Sequence, residues 1–169
     1  MSFSNQNHER DWYDTAQVCI NGYVINPRAE TEPEHNKSYC SECGAETITS
    51  CPKCEAKILG KLHSGNYFTL PVHEAPKFCW TCGSPYPWTV SRLKAAHDLA
   101  NKIKGISKEE RKLLNLSIDE LVGDSPQTNV AIVRFRKMMS KVGPELYDAF
   151  KKILIDIISE TAKKAIFGQ

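Results

Sequence analysis

The sequence predicts an α+β protein: an N-terminal module of short β-hairpins stapled by cysteines, followed by an all-α bundle of about four helices. Three observations carry this. First, seven cysteines in 169 residues fall as three C-x2-C knuckles, Cys40/Cys43, Cys51/Cys54 and Cys79/Cys82, and one single, Cys19. Second, the hydrophobic period changes from about 2 to about 3.6 near residue 90. Third, Pro85 and Pro87 stand at that point, and caps and glycine stops punctuate everything beyond it. Two domains are therefore expected, residues 1–89 and residues 90–169.

Residues 1–18 begin polar and turn aromatic at Trp12-Tyr13, as a tail leading into a short strand. Val18–Asn26 places β-branched residues on both sides of Asn21-Gly22, a hairpin signal with Cys19 on its rim. The polar segment 27–38, with two prolines, is a loop. After the first two knuckles, Ala56–Leu62 and Asn66–Val72 are expected as strands, with Pro71 confining the second to an edge. The third knuckle then closes the module.

The first helix is expected over Val90–Lys104, ended by Gly105. Ser107 with Glu110 is a capping box that opens the second. A second box, Ser117 with Glu120, predicts a break near Leu116. Ser125 followed by Pro126 starts a third helix to Val142, and Gly143-Pro144 separates it from a fourth over Glu145–Phe167. The fourth carries an apolar stripe through Leu146, Phe150, Leu154, Ile157 and Ile158, which reads as core or as a self-association surface.

Paired C-x2-C spacing suits a metal ion better than a disulfide framework, and an odd thiol count leaves a disulfide scheme incomplete. In sequential pairing, Cys51, Cys54, Cys79 and Cys82 form a complete four-cysteine zinc site, C-x2-C-x24-C-x2-C, with room for a hairpin between knuckles. Cys19, Cys40 and Cys43 form a second zinc site short of one ligand, for which His35 is the nearest donor and His63 and His73 are more remote. Short-loop and cross-braced pairings remain open on spacing alone. The module is thus a double zinc-ribbon-like one. A closed four-cysteine site has no open position for catalysis, and no H-x-E element precedes the cysteines, so structural zinc and no enzymatic activity are expected.

The strings VCINGYVIN, SYCSECGAETITSCPKC and KFCWTCGSPYPW, with the helical tail from PQTNVAIVRFRKMMSKVG onward, resemble a family of bacterial zinc-ribbon proteins of unknown function. The resemblance covers nearly the whole chain. It implies a C-x2-G-H half-knuckle at Cys19, but Tyr23 stands here where that pattern has histidine. A phenol with a pKa of about 10 is a poor zinc ligand at neutral pH.

Formal charge is uneven. Residues 1–89 carry −3 and residues 90–169 carry +5, within a total of +2. The aromatic-rich zinc half is acidic and repels phosphate, so nucleic-acid binding would have to use the helices, where Arg134, Lys137 and Lys141 share one face. A solvated helix face is the simpler explanation of those three. The favoured function is therefore a protein–protein interaction or scaffold module, with nucleic-acid binding as the alternative. With no basic n-region and no apolar run of about 18 residues, neither a signal peptide nor a membrane span is expected, and the compartment is the cytoplasm. Trp88, immediately before the first helix, is expected to be buried against Leu93 or His97.

Overall fold

Alternating β-branched residues and tight turns leave little room for long strands, and those that form are two to five residues long. The structure, a computed structural model, describes residues 11–64 and 74–168. The chain divides into two units, Met1–Trp88 and Thr89–Gln169, each with its own apolar core.

In the first unit, β1 (Trp12–Thr15) pairs antiparallel with β5 (Leu59–His63). The strands β2 (Gln17–Cys19), β3 (Val24–Asn26) and β4 (Thr47–Ile48) form a second antiparallel sheet in the order β3-β2-β4. The Asn21-Gly22 turn joins β2 to β3, with Gly22 at φ +94° and its N–H donated to the Cys19 carbonyl at 2.8 Å. The expected strand over residues 66–72 lies outside the described residues. Ala56 and Lys57 belong to a knuckle and not to β5, which begins only at Leu59.

The first unit's core is small: Ala16, Val18, Ile58, Tyr86 and Trp88, together with Cys51 and Cys79. Tyr86 and Trp88 stack with centroids 4.7 Å apart, and Trp88 Nε1 donates to the Pro76 carbonyl at 2.8 Å. Trp88 is buried as expected, as a member of this core.

Five helices follow, α1 (Pro87–Asn101), α2 (Lys108–Glu120), α3 (Thr128–Met139), α4 (Pro144–Leu154) and α5 (Glu160–Phe167), and not about four. The expected break at Leu116 does not occur. Leu114, Ile118 and Leu121 are all fully buried at helical spacing, and the Ser117 hydroxyl donates back to the Leu113 carbonyl at 2.8 Å instead of capping a new start. The capping box at Ser107 is present, with Glu110 N to Ser107 Oγ at 3.1 Å and Ser107 N to Glu110 Oε2 at 2.9 Å.

The expected fourth helix is two. Ser159, in extended backbone, caps α5 by accepting from Ala162 N at 3.2 Å, and its own N–H donates to the Leu121 carbonyl at 2.8 Å. The break lets the consecutive Ile157 and Ile158 both be buried, which an uninterrupted surface helix does not readily do. Phe135 and Phe150 meet edge-to-face at 5.8 Å in the middle of the second core.

Candidate metal centres

Each C-x2-C knuckle is built on one backbone template. The first cysteine's N–H bonds the carbonyl five residues on: Cys40 to Ala45, Cys51 to Ala56 and Cys79 to Ser84, each at 2.8 Å. Its carbonyl accepts the N–H four residues on, from Gly44, Glu55 and Gly83. That fourth residue is left-handed every time, with φ of +69°, +61° and +67°. The flanking residues close a bridge: Tyr39 with Glu46, Ser50 with Lys57, and Phe78 with Pro85. In every case the first thiol is buried and the second exposed, so each knuckle offers one inner and one outer sulfur.

The fold brings Cys51, Cys54, Cys79 and Cys82 into one group and Cys19, Cys40 and Cys43 into another, with the Sγ atoms of each group within 4.8 Å of one another. Cys51 and Cys82 Sγ are 3.9 Å apart, Cys54 and Cys79 3.6 Å, and Cys19 and Cys43 3.8 Å. Four sulfurs at about 2.3 Å from a tetrahedral zinc ion lie about 3.8 Å from one another. A disulfide would bring them to about 2 Å. The residues therefore fit zinc.

Protonation chemistry agrees. The Cys82 backbone N–H pulls the Cys79 thiol down to about 6, and the Ser84 hydroxyl and N–H lower Cys82. Although the Ala56 N–H lowers Cys54, burial and the neighbouring thiols push it up to about 12. Four sulfurs this close cannot all carry charge unaided, and a divalent cation removes the conflict.

The trio differs from the knuckles at Cys19. Its turn is one residue tighter, with Cys19 N bonded to the Tyr23 carbonyl at 3.0 Å. Two donors serve its sulfurs: Tyr23 N–H to Cys19 Sγ and Asn21 Nδ2 to Cys43 Sγ, both at 3.4 Å. The Asn21 contact lowers the Cys43 thiol, and burial raises that of Cys19. His35 is not brought to the trio; it is exposed, with Nε2 3.9 Å from a Glu34 oxygen. His63 is also elsewhere: it stacks on Trp12 at 4.1 Å and lies 3.3 Å from the buried Asp14. His73 lies outside the described residues.

Sequence reasoning treated Asn21 only as a turn residue, and its place beside Cys43 depends on β2 and β4 pairing. Of the three basic candidates, Arg134 and Lys137 lie on α3 and Lys141 in the turn after it, because the helix ends at Met139 and not at Val142; Arg134 pairs with Glu120 at 3.3 Å and Lys141 with Glu110, while Lys137 is exposed. No described helix is long and apolar enough to cross a membrane.

Repeated knuckles closing on two sulfur clusters, joined to a five-helix unit, define a protein with a zinc-ribbon-like module and a helical domain. The chain belongs to the bacterial family described as "Uncharacterized protein conserved in bacteria (DUF2321)", whose model matches residues 12–166 and so takes in all seven cysteines. No curated protein and no solved structure matches it.

Proposed function

We propose that this is a non-enzymatic, cytoplasmic scaffold in which structural zinc holds an aromatic surface for a protein partner. One observation carries the reading. Among the described residues of the first unit, the large apolar side chains that are exposed are all aromatic, namely Trp12, Tyr13, Tyr23, Tyr39, Phe78 and Trp80, and four of them adjoin knuckle or half-knuckle positions. Aromatic residues are enriched at protein interfaces because each buries a large area at low entropic cost. Tyr39 and Phe78 precede the first cysteine of a knuckle, and Trp80 is tied by Nε1 to the Lys57 carbonyl at 3.1 Å. A metal-stapled backbone so presents these rings preformed, which lowers the ordering cost of association.

The four-sulfur set supports a structural role, since it leaves zinc no open position. Nucleic-acid binding, the alternative reading, has weaker support: the first unit is acidic, and two of the three basic candidates, Arg134 and Lys141, are already paired. The test compares wild type with a Tyr39→Ala/Trp80→Ala double variant, both at exposed positions, in affinity capture from a bacterial extract. A protein retained by wild type and lost by the variant, at unchanged melting temperature, is expected. Retention on heparin with steep salt dependence, and no protein lost by the variant, would favour nucleic acid instead.

A further inference from the structure

We infer that the metal ion at Cys19, Cys40 and Cys43 keeps one coordination position that takes a neutral imidazole nitrogen, a histidine side chain of the partner protein.

The backbone at Cys19 excludes a fourth ligand where the knuckles would put one. Three residues after the first cysteine, each full knuckle has its second cysteine; after Cys19 that residue is Gly22. A Cβ on Gly22 would lie 3.0 Å from Trp88 Cβ, and its φ of +94° disfavours any side chain. The next residue, Tyr23, spends its N–H on Cys19 Sγ and exposes its phenol. Among the described residues no histidine, cysteine or carboxylate completes the trio. Its outer side is open, because Cys43 and its neighbours Asn21, Glu42 and Gly44 are all exposed.

Charge selects the donor. Three thiolates and one divalent ion leave a net −1, and a fourth thiolate would make it −2 in a half of the chain that already carries −3. An imidazole adds no charge and is a common zinc ligand. Asn21 gives its Nδ2 to Cys43, which leaves Oδ1 of the same amide to accept the second ring N–H of an incoming imidazole. Ligating histidines almost always have such an acceptor.

The inference rests on the protein-partner reading, but free imidazole tests it without any partner. The full chain, loaded with Co²⁺ at both sites, is titrated with imidazole and, in parallel, with 2-mercaptoethanol, following visible d–d absorption. A saturable change of about one imidazole per chain, at lower concentration than any thiol effect, is expected. It should vanish in Cys43→Ser, weaken in Asn21→Ala, and be pre-empted in Tyr23→His, whose own spectrum should show an added nitrogen donor. A wild-type spectrum insensitive to imidazole means the chain itself closes the site, and overturns the inference. So does tighter binding of the thiol, or a response that persists in Cys43→Ser. Loss of the imidazole response leaves the aromatic capture experiment unaffected, so the two readings fail separately.

Discussion

Glu55 occupies in the second knuckle the left-handed backbone position that Gly83 occupies in the third, with φ of +61° against +67°. It is the sole described residue other than glycine with positive φ. Both donate their N–H to the first cysteine's carbonyl at 2.8 Å, so the conformation is imposed by the metal-binding turn and not by the side chain.

An L-residue in this region costs about 1–2 kcal/mol. Glu55→Gly is therefore expected to stabilise the zinc-bound first unit by up to about 1 kcal/mol, part of the relief being offset by the unfolded chain's added freedom. Gly83→Ala should destabilise it by about 1 kcal/mol; at that position a Cβ meets nothing within 4 Å, so only backbone strain acts. Chemical denaturation of the zinc-loaded proteins reads both, and an unchanged or lowered midpoint for Glu55→Gly contradicts the strain argument.

Metal content follows from the two sulfur sets. Protein purified without added zinc should carry about one to two zinc ions per chain, the four-cysteine site held more tightly. Cys79→Ser should unfold the first unit, because Cys79 is buried in its core and its site contributes on the order of 10 kcal/mol of coupled folding energy. Cys19→Ser should cost less. Elemental analysis with Trp fluorescence checks this; zero zinc sinks it, as does equal damage from both substitutions.

Asp14 is buried, and its carboxylate accepts from Thr15 N at 2.7 Å, Glu30 N at 3.1 Å and the Thr31 hydroxyl at 2.5 Å, with His63 Nε2 3.3 Å away. Burial raises its pKa, but these donors, Thr31 foremost, hold it below the ordinary 3.8. A depressed folded pKa gives stability that is present above the unfolded value and lost as pH falls through the folded one. Asp14→Asn is expected to cost about 1–3 kcal/mol at pH 7. The gap from wild type should narrow as pH drops below about 4. Thiol protonation affects both proteins alike, so the difference isolates Asp14; a gap that stays constant with pH would count against the network.

Gly60 lies in β5 where a Cβ would be 2.3 Å from the Pro27 carbonyl oxygen and 2.8 Å from Ala16 N. All the obstructing atoms are backbone and cannot rotate away. Gly60→Ala should cost roughly 3 kcal/mol or more, at the upper end of overpacking effects. A melting temperature within a degree or so of wild type would mean β1 and β5 do not approach as described.

Ser159 N-caps α5, and its own N–H bonds the Leu121 carbonyl. Ser159→Ala removes the cap alone and is expected to lower helical-unit stability by about 1 kcal/mol. Circular dichroism melting checks it.

By itself the sequence determined the cysteine inventory, the Asn21-Gly22 hairpin, the change from hairpins to helices near residue 89 and the Ser107 capping box. These are local properties: turn chemistry, capping and thiol spacing need no distant partner. Tertiary structure alone decided which knuckles come together in one sulfur cluster, because C-x2-C spacing brings two sulfurs together but leaves the other two to chain folding. It also decided that Ser117 lies within a helix while Ser159 starts one. The local signal is the stronger at Ser117, which has Glu120 three residues on where Ser159 has Ala162, and burial overrides it: Leu114, Ile118 and Leu121 need an unbroken helix, whereas Ile157 and Ile158 are both buried only because the helix stops. Gly60 and Trp88 have the same origin, since the backbone that crowds Gly60 and the core that takes up Trp88 come together only when strands and knuckles far apart in sequence meet.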